Sequence, residues 1–156
     1  MLGSDGFMKN FQRNGSISNA HVGKDFVDLV KVFFSSKGIA LDNDIVISIG
    51  VGEHRKEHVY DLGNLDNKII VECKSHKWTE SDKVPSAKMT VWTQEMYYFH
   101  LAPKEYRKIF FILKDYGSSR KETLGQYYLR INPHLIPHDV EFWEYDEKTQ
   151  TAEKIN

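Results

Sequence analysis

HVYDLGNLDNKIIVECK, residues 58–74, is the stretch on which the fold turns. HVYDL (58–62) and KIIVECK (68–74) are short runs rich in β-branched and aromatic residues, the composition of strands. Asp66-Asn67 between them tolerate positive φ, which predicts a two-residue hairpin turn. With that turn Leu65 faces Lys68, and every facing pair of residue numbers has the same sum. Asn64 then faces Ile69, Gly63 faces Ile70, Leu62 faces Val71 and Asp61 faces Glu72. Side chains alternate along a strand, so Asp61 and Glu72 share a face, with Cβ atoms about 4.5–5.5 Å apart. Lys74 falls on the same face, and the Cys73 side chain on the opposite one.

On the N-terminal side of the hairpin, Phe26, Val30, Phe33 and Phe34 recur at i, i+4, i+7 and i+8, one apolar helix face. That helix is predicted to start at Ser18 or Asn19 and to stop at Gly38. IVISIGV (45–51) reads as another strand ahead of the hairpin. Downstream, SAKMTVWTQEMYYFHLA (86–102) predicts a helix closed by Pro103, and KIFFILKDY (108–116) a strand buried on both faces. ETLGQYYLRI (122–131) predicts a third helix and VEFWEYD (140–146) a last strand. The order helix, three strands, helix, strand, helix, strand predicts an α/β (α+β) fold with a central mixed sheet flanked by helices. Residues 1–18, rich in Gly, Asn and Ser, read as a flexible N-terminal arm, and 19–156 as a single domain.

Composition narrows the function classes. The chain has 156 residues, 40% of them hydrophobic and 13% aromatic, enough to bury a core and too many for a disordered chain. No apolar stretch reaches the roughly 18–20 residues that span a bilayer, and the N-terminus lacks the apolar middle of a secretory signal. One cysteine, Cys73, cannot form an internal disulfide. The expected location is therefore the cytoplasm, with no membrane partner. Lys+Arg number 21 against 22 Asp+Glu, for a net charge of −1. This balance argues against indiscriminate coating of nucleic acid and leaves room for a local basic channel. Lys74, His76, Lys77, Lys83 and Lys88 cluster around the motif strand, with Arg107, Lys108, Arg120 and Lys121 as a candidate extension. Asp139, Glu141, Glu144, Asp146 and Glu147 are expected to face away from that channel.

Two carboxylates directly opposite each other repel. A divalent cation between them removes the repulsion, and hard oxygen ligands of this kind suit Mg²⁺. An ammonium beside them, Lys74, is placed to orient or help deprotonate a metal-bound water and to stabilise charge developing on phosphorus.

Asp61 followed by Glu72-Cys73-Lys74 resembles the D-x(n)-[DE]-x-K signature of the PD-(D/E)XK nuclease superfamily, whose members include restriction endonucleases, Holliday-junction resolvases and RecB-type nuclease domains. The likeness extends over about residues 20–116. It implies a restriction endonuclease-like core and a Mg²⁺-dependent nuclease, with Mn²⁺ as a substitute, that hydrolyses DNA phosphodiester bonds. Asp61, Glu72 and the backbone carbonyl of Cys73 would hold the metal, and Asp61, Glu72 and Lys74 would be the catalytic set. Gln94 and Tyr98 match the Gln-x-x-x-Tyr spacing of RecB-like members and, with Lys77 and Lys88, are the expected substrate contacts. The family's leading helix often carries Gly-x-x-Phe-Glu. Here Gly23-Lys24-Asp25-Phe26-Val27 places valine at the acidic position, which leaves Asp25 or Asp28 as the additional acid. Tyr60 stands where the family name has proline. A small endonuclease cutting both strands is expected to be a homodimer, one site per strand.

Two other readings predict different behaviour. A catalytically inactive nucleic-acid-binding module of the same fold would bind without cutting. His54, Glu57 and His58 match the H-x-x-E-H pattern of inverted zinc peptidases, which needs both histidines on one helix face. The segment runs from a glycine-rich stretch straight into HVYDL, which favours a hairpin tip.

Overall fold

The structure, a computed structural model, describes the backbone of residues 16–156 and side chains from Val22 onward. Residues 1–15 of the expected arm lie outside the described residues. Residues 16–18 belong to the first described helix, α1 (Ser16–Ser36). It ends as Gly38 predicts. Gly38 has φ +81°, its N–H donates to Ser35 O, and the Ile39 N–H donates to Phe34 O. This paired closure satisfies the orphan carbonyls of the last turn.

Then follow β1 (Asp42–Val51), β2 (His54–Asn64), β3 (Ile69–Lys74), α2 (Ser86–Leu101), β4 (Arg107–Leu113), α3 (Leu124–Ile131), β5 (Val140–Asp146) and β6 (Thr151–Lys154). The six strands lie side by side in chain order. β1–β2–β3 is an antiparallel meander, β3–β4–β5 is parallel, and β6 returns antiparallel to β5. The fold is thus α/β with a mixed sheet, as the order of elements predicts.

The sheet is covered on both faces. Val22, Phe26, Val30 and Phe34 of α1 pack with Leu62, Val71, Cys73 and Phe111 on one side. Trp92, Met96 and Phe99 of α2 and Tyr128 of α3 pack with Tyr60, Ile70, Phe110 and Phe142 on the other. Both parallel crossovers carry their helices to this second face, as the right-handed rule for such units requires. The continuous apolar runs of β3 and β4 reflect burial on both sides. Among the described residues no helix is long and apolar enough to cross a membrane.

The hairpin register is the expected one: Leu62 faces Val71, Gly63 faces Ile70 and Asn64 faces Ile69. Its turn is not. Four residues, 65–68, form it, and the positive φ falls on Lys68 rather than on Asp66 or Asn67. Asn64 Oδ1 accepts the Asn67 N–H at 2.9 Å, so a side chain closes the loop. Leu65 and Lys68 leave the ladder together, which preserves the sum that sets the register. Gly63 is required by close approach: a Cβ there would lie 2.3 Å from Ile69 O. β6 is an addition that hydrophobic patterning does not predict, because TAEK is short and mostly exposed.

Candidate active site

The site forms where β2 leaves β3. Regular pairing of the two strands ends at Leu62–Val71, and beyond it β2 pairs with β1 alone. Carboxylates take over from the ladder at this fork. The Asp61 N–H donates to Glu72 Oε1 at 3.0 Å, and the Cys73 N–H donates to Asp61 Oδ2 at 2.9 Å. Two acids are thereby fixed against each other by the backbone of their own partners.

A break in strand alternation accompanies the fork. Tyr60 packs in the core beneath α2, whereas Leu62, two residues on, packs in the core beneath α1. Across the β1–β2 ladder Asn43 faces Leu62 and Ile45 faces Tyr60, and Asp44 between them has φ +53°. The reversal at Asp44 and Asp61 turns both carboxylates to a cleft of about 1010 Å³, which the N-terminal part of α1 and the loop after β3 also line. Asp44 is an acid of this site that sequence reasoning missed, since nothing in its spacing marks the reversal.

Lys74 Nζ lies 3.6 Å from Glu72 Oε2 and 3.6 Å from Glu95 Oε1 of α2. The carboxylates of Glu72 and Glu95 therefore flank one ammonium, and that of Asp61 acts on it from farther off. Their electrostatics follow. Burial, then repulsion from Asp61 and Glu95, pushes the Glu72 carboxyl well above the ordinary carboxylate range. Burial also raises Asp61, against the opposing effect of the Cys73 N–H. For Lys74 burial works against the charge, but Glu95, Glu72 and Asp61 outweigh it and hold the ammonium above its ordinary value. Lys74 is consequently a fixed cation at neutral pH, suited to stabilising anionic oxygen rather than to accepting a proton.

Glu95 was also missed, although a signal was present. It falls in step with Trp92, Met96 and Phe99 on the buried stripe of α2, a carboxylate where packing calls for an apolar side chain. Cys73 is buried in the α1-side core with a thiol pushed up by burial, so its side chain points away from the acids as alternation predicts.

Lys74, Lys77, Lys88 and His76 all line the cleft. Lys77 is ion-paired at 3.2 Å with Glu147, which lines a neighbouring depression that Lys77 also borders. Trp92 Nε1 donates to His76 Nδ1 at 2.8 Å, which leaves the ring proton on Nε2. Burial and the neighbouring Lys88 push His76 down to about 4, so it is a neutral donor at physiological pH. Asp28 lines the cleft and pairs with Lys24 at 3.8 Å, whereas Asp25 lines a separate depression beside Phe33 and Tyr145. Val27, at the acidic position of the leading-helix motif, lines the cleft as an apolar residue.

Two parts of the expected basic surface belong elsewhere. Arg107 makes a bidentate pair with Glu141, and Lys108, 2% exposed, pairs with Asp139 at 2.9 Å. Both start β4, the opposite end of the sheet from Lys74, because strands β3 and β4 run parallel. Arg120 stacks over Trp78 at 4.0 Å and donates to Asp82 O, a structural clasp. Gln94 and Tyr98 do not line the cleft. Gln94 Nε2 donates to Tyr98 Oη at 3.0 Å, and the Tyr98 ring lies 4.1 Å from that of His58.

No protein-family model, curated protein or solved structure matches this chain.

The zinc-peptidase arrangement is excluded by geometry. His54 and His58 lie in β2, not on a helix. Four residues along a strand separate them by about 13 Å at roughly 3.3 Å per residue, too far to share one zinc. The tip of the β1–β2 hairpin, Gly52-Glu53, immediately precedes them.

A hard divalent cation fits the fork. Asp61 and Glu72 supply oxygen ligands, Asp44 adds a third acid at the cleft wall, and the buried negative charge exceeds what Lys74 balances. Of the additional acids expected on the leading helix, only Asp28 reaches the cleft.

Proposed function

We propose that this protein is a divalent-metal-dependent nuclease with its active site at the Asp61–Glu72 fork. The observation that carries this reading is the convergence of Asp61, Glu72 and Lys74 at the end of a cleft lined by further cationic side chains. Asp61 and Glu72, with the backbone carbonyl of Cys73, would hold Mg²⁺, for which Mn²⁺ can substitute, and Asp44 adds charge at the rim. The cation supplies Lewis-acid polarisation of the scissile phosphoryl group when bound. Lys74, protonated, neutralises charge on the non-bridging oxygens as the phosphorus becomes five-coordinate. Lys88 and the neutral His76 ring hold flanking phosphates, a positioning role without base readout. Lys77 joins them to the extent that phosphate competes with Glu147. The restriction endonuclease-like core and the nuclease superfamily fit this arrangement. DNA is the expected substrate and a homodimer the expected assembly, because duplex cleavage most simply takes two sites.

The test is cleavage of a panel of plasmid, linear duplex, single strand, branched junction and RNA in EDTA, Mg²⁺ or Mn²⁺. Metal-dependent cutting is expected, with Asp61→Asn reducing it at least about a hundredfold, the loss associated even with outer partners of metal ligands. A contaminating nuclease would be indifferent to that substitution. Binding of DNA without cutting any substrate would replace the enzyme with a catalytically inactive nucleic-acid-binding module.

A further inference from the structure

On the α2 side of the fork, an imidazole nitrogen of His58 and one carboxylate oxygen each of Glu72 and Glu95 lie within 4.8 Å of one another. Ligands arranged tetrahedrally at about 2.1 Å from zinc stand roughly 3.4 Å apart, so a small closure would complete the set. Two observations distinguish this group from a crowd of surface acids. His58 Nε2 is buried and has no hydrogen-bond partner among the described residues. Glu95 Oε2 is likewise buried and unpartnered, on a side chain only 9% exposed. Buried polar atoms are rarely left unsatisfied, and each one calls for a ligand or a reason.

The imidazole is also held in place. The His58 ring is wedged between Tyr60, with ring centroids 4.6 Å apart, and Tyr98 at 4.1 Å. Tyr60 Oη donates to Tyr98 O at 2.9 Å, and Gln94 anchors Tyr98 Oη. Outer-shell fixing of this kind is how ligand histidines are oriented. The Gln94–Tyr98 pair therefore acts on the site through His58 and not through the cleft.

We propose that His58, Glu72 and Glu95 form a binding site for a borderline first-row cation, Zn²⁺ above all, whose occupancy excludes the Lys74 ammonium from its place between the two glutamates. The donor set decides the metal: one imidazole and two carboxylates suit Zn²⁺ or Co²⁺ and are poorly matched to Mg²⁺. The exclusion follows from position. Lys74 Nζ sits 3.6 Å from both glutamates, and a dication held by the same two carboxylates repels it. The metal site stands by itself. Its consequence for activity rests on the nuclease reading: a cation here takes Glu72 from the fork and frees Lys74 from its carboxylate anchors, so Zn²⁺ inhibits.

The test is calorimetric titration of the full chain with Zn²⁺ in a non-chelating buffer, with Co²⁺ absorption as a second readout. Expected results are one tight equivalent in the wild type, at least about tenfold weaker binding in Glu95→Gln and in His58→Asn, and tighter binding in Lys74→Met, which removes the competing cation. Asp61→Asn, which removes no ligand of this set, should weaken Zn²⁺ binding less than Glu95→Gln or His58→Asn does, although it impairs cutting at least about a hundredfold. Excess Mg²⁺ should not displace the Zn²⁺. Absence of a tight equivalent in both wild type and Lys74→Met overturns the site, as does binding indifferent to His58 and Glu95. Because Lys74→Met is a gain-of-binding variant, misfolding cannot imitate its expected result. Failure of cleavage with Zn²⁺ binding intact would remove the nuclease reading and leave the metal site.

Discussion

Glu72→Gln is expected to abolish metal-dependent cleavage and, at the same time, to make the metal-free protein melt at a higher temperature. The first effect follows from removing one of the two carboxylates of the fork. It should be at least about a hundredfold. The second follows from linkage. Burial, Asp61 and Glu95 hold the Glu72 carboxyl above its ordinary value of 4.5 in the folded protein. The folded state therefore binds this proton more tightly than the unfolded chain. Stability contributed by the neutral form is fully present below the ordinary value and is lost as pH rises through the raised one. Glutamine is neutral at every pH, nearly isosteric, and keeps an oxygen for the Asp61 N–H. In EDTA at pH 8 the variant should melt a few degrees above the wild type, since about 1 kcal/mol moves a chain of this size by about 2–4 °C. Near pH 4 the two should coincide. Mg²⁺ should reverse the order by stabilising only the wild type. A variant that melts below the wild type in EDTA at pH 8 would mean that the Lys74 pair outweighs the repulsion. A site dominated by repulsion has no room for that result.

Phe110→Ala should produce the largest loss of stability. Phe110 is fully buried at the centre of β4, with ring centroids 5.3 Å from Trp92, 6.5 Å from Phe99 and 5.0 Å from Phe142. Its neighbours come from a helix on one side and an adjacent strand on the other, so they cannot collapse together into the space. Truncation should cost about 3–5 kcal/mol, a large part of the roughly 5–15 kcal/mol that a domain possesses. The melting temperature should fall by about 6–20 °C. The measurement is thermal unfolding followed by far-UV circular dichroism, with Val46→Ala on the exposed face of β1 as the control. Equal melting of the two variants would mean that the core beneath α2 is loosely packed.

The parts of this molecule that were legible in the sequence are those governed by period. Alternation along 58–74 set the register, and the register survived a turn of different length because Leu65 and Lys68 left the ladder as a pair. Phe26, Val30 and Phe34 identified α1, and glycine and proline marked where α1 and α2 stop. What period cannot show is where it breaks. The reversal between Tyr60 and Leu62, and the positive φ of Asp44 across from it, come from the meeting of two strands and leave no local trace. Glu95 reaches the site from α2 by tertiary packing, and His58, three residues before Asp61 in β2, meets it only because that helix packs over the strand. Charge was legible only as a sum. Arg107 and Lys108 are consumed by Glu141 and Asp139, and Lys77 by Glu147, pairings that bring together residues more than thirty positions apart.

The sheet adds its strands in the order in which the chain is written. During synthesis each strand can therefore dock on the edge left by its predecessor, without waiting for a distant partner. The hairpin that brings Asp61 to Glu72 is complete once residue 74 has emerged, a dozen residues before α2 begins. A nascent chain of that length carries the crowded acids and Lys74, but has neither Glu95 nor the apolar face of α2 to bury them. Charges that meet at that stage meet in water, where bringing them together costs least, and the helix that desolvates them is made afterwards.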